Sequence, residues 1–177
     1  MTLPIKNSLY TYTQKFHKYI IIHHTDELNL NTGNVIIDKP SFQLNSLAKS
    51  FYQLEKMYLP YHFVIEKVGD EYINMVTAPL LTKHEFLDMD DKYQNGIHIA
   101  LLGNYNMDTV DQKLYDVLNL RIIIPMMKTY NILEDNILRH SDVSFFPDMK
   151  CPGDNFNLAK LKNSLRSHMK KRSVTRS

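Results

Sequence analysis

KYIIIHHT, residues 18–25, is a short apolar run rich in β-branched isoleucine that stops at two histidines and a threonine. A run of this length with this ending reads as a buried strand whose last residues reach a functional edge. Side chains alternate along a strand, so His23 and His24 must point to opposite faces. Alternation alone does not say which of the two faces a site.

Outward from this strand, SFQLNSLAKSFYQLEKMY (41–58) predicts a helix. Ser41 is its N-cap, and Leu44, Leu47, Phe51, Leu54 and Tyr58 recur at helical spacing. YHFVIEK and EYINMV flank Val68-Gly69-Asp70, a hairpin signal with glycine at the turn. Residues 77–95 are polar and mixed and read as loop. GIHIALLG (96–103) is a second buried strand, bounded by Asn-Gly and Gly-Asn.

Thr109-x-x-Gln112 resembles a capping box opening a helix through Leu114, Val117, Leu118, Arg121 and Ile122, which Pro125 should kink or end. NILRH (136–140) predicts a short strand delivering His140. FNLAKLKNSLRSHM predicts a closing amphipathic helix with Phe156, Leu161, Leu165 and Met169 on one stripe. Strands alternating with helices imply an α/β fold: a single domain with a central mixed β-sheet flanked by helices. The expected organisation is an N-terminal extension over 1–17, the domain over 18–167 and a basic tail over 168–177.

The chain has 177 residues, 44% hydrophobic and 23% charged, which suits one soluble domain with a continuous core. No stretch approaches the ~20 apolar residues of a membrane span. The N-terminus lacks the apolar region and cleavage site of a signal peptide, so cytoplasmic synthesis is expected. Net charge is +2, but the seven Lys and Arg after Asp154 face no acid, leaving fourteen basic against nineteen acidic residues, net −5, over 1–154. The basic end could attract an anionic partner, yet no aromatics are interleaved for base stacking, which disfavours nucleic acid. Lys and Arg at a helix C-terminus explain it as well. A monomer is expected.

The single cysteine excludes an internal disulfide and frees Cys151 for chemistry or metal binding. One reading makes it a buried small hydrophobe. Another makes it a nucleophile with His140 as base. A third is a metal centre: thiolate and imidazole at the ends of rigid strands suit tetrahedral zinc, with three protein ligands and one exchangeable position. His140 and Cys151 supply two ligands, and His23 or His24 the third.

Four ordered blocks, YIIIHHT, PYHFVIEKVGDEY, GIHIALLGNYN and LRHSDV followed by CPGDNF, resemble the zinc-dependent N-acetylmuramoyl-L-alanine amidases. That family includes amidase-type phage lysozymes and the peptidoglycan recognition proteins. The resemblance runs from about residue 18 to 165. It implies a peptidoglycan or muropeptide substrate and Zn2+ held by His23, His140 and Cys151; strand alternation keeps His24 as the competing first ligand, with a core or supporting histidine its preferred role. It places Tyr61 beside the metal as a catalytic residue and His84 in the loop where many relatives contact the substrate; His24 and Asn95 are further candidates for contact with the substrate. A related cytosolic branch uses aspartate as third ligand; Asp154 stands near, but the CPG pattern favours the thiolate.

The chain departs from that pattern twice. Where phage amidases usually carry a lysine two residues before the cysteine, Met149 stands, which makes Lys150 the candidate for its catalytic role. Where the family usually has a glycine in its third block, His98 stands, either crowding the sheet or reaching the cleft. His62 should face away from Tyr61 and pack, and His17 and His168, without motif support, are expected at the surface. The resemblance leaves open a peptidoglycan-binding module without catalysis. It leaves open, too, the polymerase partnership known for some phage amidases, and action on the wall after release from the cell.

Overall fold

In a computed structural model, the chain is described over residues 17–25, 59, 61–80, 90–145 and 150–174. The helix expected over 41–58, and the positions of His84 and Met149, lie outside the described residues. Five strands, β1 (Tyr19–His24), β2 (Phe63–Val68), β3 (Glu71–Val76), β4 (Gly96–Leu101) and β5 (Ile137–Arg139), form one sheet in the order β3-β2-β4-β1-β5. β1 runs parallel to β4 and β5, and β2 parallel to β4, while β2 and β3 pair antiparallel. The sheet is therefore mixed, as the pattern of elements implies.

Among the described residues are four α-helices, α1 (Asp91–Gln94), α2 (Gln112–Val117), α3 (Ile124–Tyr130) and α4 (Leu158–Val174), with a π-helical stretch at Leu118–Ile123 and 3-10 turns at Glu134–Asn136 and His140–Asp142. None is long and apolar enough to cross a membrane. Ile20 and Ile22 of β1 join Phe63, Ile65, Ile97, Ile99 and Leu101 in one buried cluster with Leu114, Leu118, Ile122, Leu161 and Leu165 of the helices. Burying one such side chain is worth about 1.5–3 kcal/mol, so this layer supplies much of the driving force for folding. Ile21 and Val64 pack on the opposite face in separate clusters. Burial on both faces explains why β1 and β4 read as continuous apolar runs rather than alternating ones.

The β2–β3 hairpin turns at Gly69, whose φ of 60° lies in the left-handed region that favours glycine. Several expectations need correction. The stretch 77–95 is not all loop: Asp90 caps α1 by accepting from Lys92 N at 3.2 Å, and the helix buries Tyr93. The cap of α2 is Asp111, not Thr109: its carboxylate accepts from Leu114 N at 2.8 Å and from the Tyr72 hydroxyl at 3.0 Å.

Pro125 does not end the helical run. Leu118–Ile123 takes π-helical form, with Ile124 N–H reaching Asn119 O, and the run continues as α3. The wider turn gives room to a proline ring that would otherwise crowd the preceding carbonyl and has no N–H to donate. In α4 the buried stripe stops at Leu165. Met169 is exposed, and contact with α2 passes instead to Ser164 and His168, which both bond Asp116 Oδ1.

His17 is buried, not superficial. Its Nε2 bonds the Leu80 carbonyl, and its ring meets His62 and Tyr130 edge-on at 5.3 and 4.9 Å. Burial pulls its pKa below the ordinary histidine value. His168 is likewise drawn in by Asp116, at 2.9 Å.

Candidate metal centre

Register decides between the two histidines of β1. His23 is paired with Ala100 of β4 and shares its face with Ile21, whereas His24 shares the face of Ile20 and Ile22. On the His23 side the chain returns twice. β5 ends beside β1, with Ile22 opposite Arg139, so His140 opens a 3-10 turn next to the strand end. Asp142 holds that turn by accepting from Arg139 N–H at 2.9 Å and from the Arg139 guanidinium at 2.7 Å. This accounts for the aspartate in LRHSDV.

The second return is the CPG loop. Cys151 O accepts from Ser141 N at 3.0 Å, and Cys151 Sγ accepts from His24 N–H at 3.4 Å. Gly153, at φ 103°, lies so close to the backbone of Tyr105 and Asn106 that a Cβ there would overlap Tyr105. Only glycine permits this approach. His24 supports the same contact from below, its Nδ1 accepting from Tyr105 N–H at 3.2 Å.

His23, His140 and Cys151 thereby converge, their ligand atoms all within 4.8 Å of one another and all three side chains buried. His23 Nδ1 stands 3.9 Å from Cys151 Sγ. A tetrahedral zinc with bonds of ~2.0–2.3 Å needs donor separations of about 3.3–3.7 Å, so the His23–Cys151 pair is within a few tenths of an ångström of that spacing. Two imidazoles and a thiolate are a donor set suited to Zn2+. The residues present fit the metal.

Around this triad are further aromatic rings. Tyr61, buried at the approach to β2, lies with its ring 5.2 Å from that of His23, and the Tyr93 ring sits 5.7 Å from His23 and 5.3 Å from His140. His98 reaches the centre rather than merely crowding the sheet: its Nδ1 is 2.9 Å from His23 Nε2, and its Nε2 is 2.9 Å from the Tyr93 carbonyl. His62 packs against it, the rings stacked at 5.6 Å, and accepts from His98 N–H. Sequence reading missed Tyr93 and Asp142. Tyr93 lies in a stretch read as loop, and its role depends on a strand pairing that no local pattern reveals.

The other expected site residues have different surroundings. Lys150 lines an open pocket of about 300 Å³ with Arg139, Ser141, Asp142, Cys151 and Asp154, and its Nζ is paired to Asp154 at 2.7 Å. That carboxylate raises the lysine pKa. Asp154 is thus engaged with Lys150 and is not in the metal-binding group. Asn95 caps α1, its side-chain amide donating to Asp91 O, while its carbonyl accepts from Lys18 and Tyr19 at the far end of β1 from His23. Asn95 and the buried His24 are therefore tied into the fold rather than turned toward the triad.

No protein-family model and no curated protein matches the sequence. Solved structures do match by shape. The N-acetylmuramoyl-L-alanine amidase LysC from Clostridium intestinale is 19% identical with a TM-score of 0.52, over 87% of this chain and 88% of that one. An AmpD structure is 13% identical with a TM-score of 0.60, over 86% of each chain. The Drosophila peptidoglycan recognition protein SD is 17% identical with a TM-score of 0.57, over 79% of this chain and 76% of that one. At these identities the likeness establishes the fold, which is the one the sequence blocks imply.

Proposed function

We propose, from the fold this chain shares with N-acetylmuramoyl-L-alanine amidases and peptidoglycan recognition proteins, that it is a zinc-dependent amidase. Its substrate would be the amide between N-acetylmuramic acid and L-alanine, in peptidoglycan or its soluble fragments. The observation that carries this reading is the convergence of His23, His140 and Cys151 from three separate parts of the chain. Bound there, Zn2+ would supply Lewis acidity, polarising a carbonyl and acidifying a water toward pKa ~7.

Hydrolysis adds a water oxygen to the lactyl carbonyl carbon, breaks the C–N bond and releases the alanine amine with a proton. As negative charge grows on the carbonyl oxygen, the hydroxyl of Tyr61, whose ring lies 5.2 Å from that of His23, donates a hydrogen bond to it. The chain has no HExxH glutamate, so Tyr61 Oη is the group assigned to return a proton to the leaving amine, directly or through water. Lys150 lines the pocket beside Cys151 and, paired with Asp154, keeps two of its three N–H donors for a substrate there. In this reading the enzyme is made in the cytoplasm and meets the wall after release.

Cys151 as a nucleophile fits less well, because its side chain is 0% exposed and a nucleophilic thiolate needs access to its substrate. The likeness to peptidoglycan recognition proteins favours one second reading, a binding module without turnover. Mass measurement of muropeptides incubated with the zinc-loaded protein separates the two. The amidase releases the intact stem peptide, and Tyr61→Phe lowers kcat by ~10²–10³-fold with zinc content unchanged. Bound but uncut muropeptide would establish the binding module instead.

A further inference from the structure

We propose that His98 is a positioning residue for the metal centre, fixing His23 in the tautomer that turns a bare Nδ1 toward the ion. The proposal rests on the zinc reading above and adds a residue where the sequence pattern implies glycine.

Three groups, the Tyr93 carbonyl, His98 and His23, form a hydrogen-bonded chain. The Tyr93 carbonyl can only accept a hydrogen bond, so His98 Nε2, 2.9 Å away, must carry the proton. A neutral imidazole with a protonated Nε2 has a lone pair on Nδ1. That Nδ1 lies 2.9 Å from His23 Nε2, which, with His98 neutral, is then the donor. His23 Nδ1 is left with its lone pair, and this is the atom 3.9 Å from Cys151 Sγ, inside the ligand triangle.

The relay also has the geometry to hold the ring still. β1 and β4 are parallel with His23 opposite Ala100, so His98 lies on the same face, two residues back along the neighbouring strand. The His98 ring is packed between Tyr93, at a centroid distance of 4.2 Å, and His62, at 5.6 Å. A hydrogen bond to the outer nitrogen of a ligating histidine sets its tautomer and orientation and raises its basicity, and losing it typically costs about 10–100-fold in metal affinity. With glycine at 98, neither His23 Nε2 nor the Tyr93 carbonyl would have this partner.

Two measurements test the assignment. Long-range proton–nitrogen correlation on metal-free protein labelled with 15N-histidine, at mildly alkaline pH, reads the tautomers without metal or substrate. Both His98 and His23 should carry their proton on Nε2. Zinc affinity by competition with a chromophoric chelator should fall about 10–100-fold in His98→Leu. It should recover largely in His98→Asn, whose side-chain oxygen can still accept from His23. Circular dichroism of the metal-free variants checks that each is folded.

An Nδ1–H tautomer at His23, undiminished zinc affinity in His98→Leu, or His98→Asn as weak as His98→Leu would each overturn the proposal. Wild-type protein that shows the expected tautomers yet takes up no zinc would sink the amidase reading separately. His98 would then be a packing residue only.

Discussion

At His23 and His24 two identical side chains stand one residue apart and have different tasks. One faces the ligand triangle; the other accepts from Tyr105 N–H and donates its own backbone N–H to Cys151 Sγ. Glu66 shows how residue-scale energetics can be tested. It is 5% exposed, its Oε1 has no hydrogen-bond partner, and burial raises its pKa. A carboxyl with a raised folded-state pKa adds stability below its unfolded value of 4.5, and that stability is lost as pH rises through the folded value. Glu66→Gln should therefore raise the melting temperature at neutral pH, with the gain shrinking toward pH 4; an equal gain at both would contradict the assignment. What the sequence left open at this scale was parity. Alternation separates His23 from His24, but only pairing with β4 and β5 says which face holds the site. His98 was equally undecided, because its partner lies 75 positions away.

Strands were the most legible elements, since β1 opens on an uninterrupted apolar run, β4 lies between Asn-Gly and Gly-Asn, and β2 and β3 flank a glycine turn. Helix ends were less so. Thr109 and Asp111 are both good caps by type, and the choice fell to the residue whose carboxylate reaches both Leu114 N and the Tyr72 hydroxyl. Asp111→Ala should cost about 1 kcal/mol in denaturant unfolding, and Thr109→Ala close to nothing. The reverse order would restore the capping box read from the sequence. Pro125 misleads for a related reason: a proline forbids only the ordinary helical turn before it, and the π-helical stretch Leu118–Ile123 admits it without ending the run. Met169 sits at the right interval for the buried stripe, but His168 takes the contact with α2 through Asp116.

Across the whole molecule, the mixed sheet was readable in the alternation of elements, and the family resemblance named the three residues that converge: His23 on β1, His140 in the 3-10 turn after β5, and Cys151 on the loop that Gly153 holds against Tyr105. The tertiary partners of the ligands were not, since each lies on an element distant in sequence. If the triad binds zinc only when the sheet, β5 and the CPG loop are assembled, binding is linked to folding. Removing the metal with a chelator should then lower the melting temperature, and adding zinc should restore it. Free zinc at a hundredfold over Kd is worth about 2.7 kcal/mol. A melting temperature indifferent to chelator would leave the triad without a structural role for metal. Metal binding by His23, His140 and Cys151 is tested most sharply by X-ray absorption at the zinc edge of the loaded protein. One sulfur is expected at ~2.3 Å, with lighter scatterers, two of them imidazole, at ~2.0–2.1 Å. A spectrum without a sulfur contribution, or without imidazole, would contradict that ligand set.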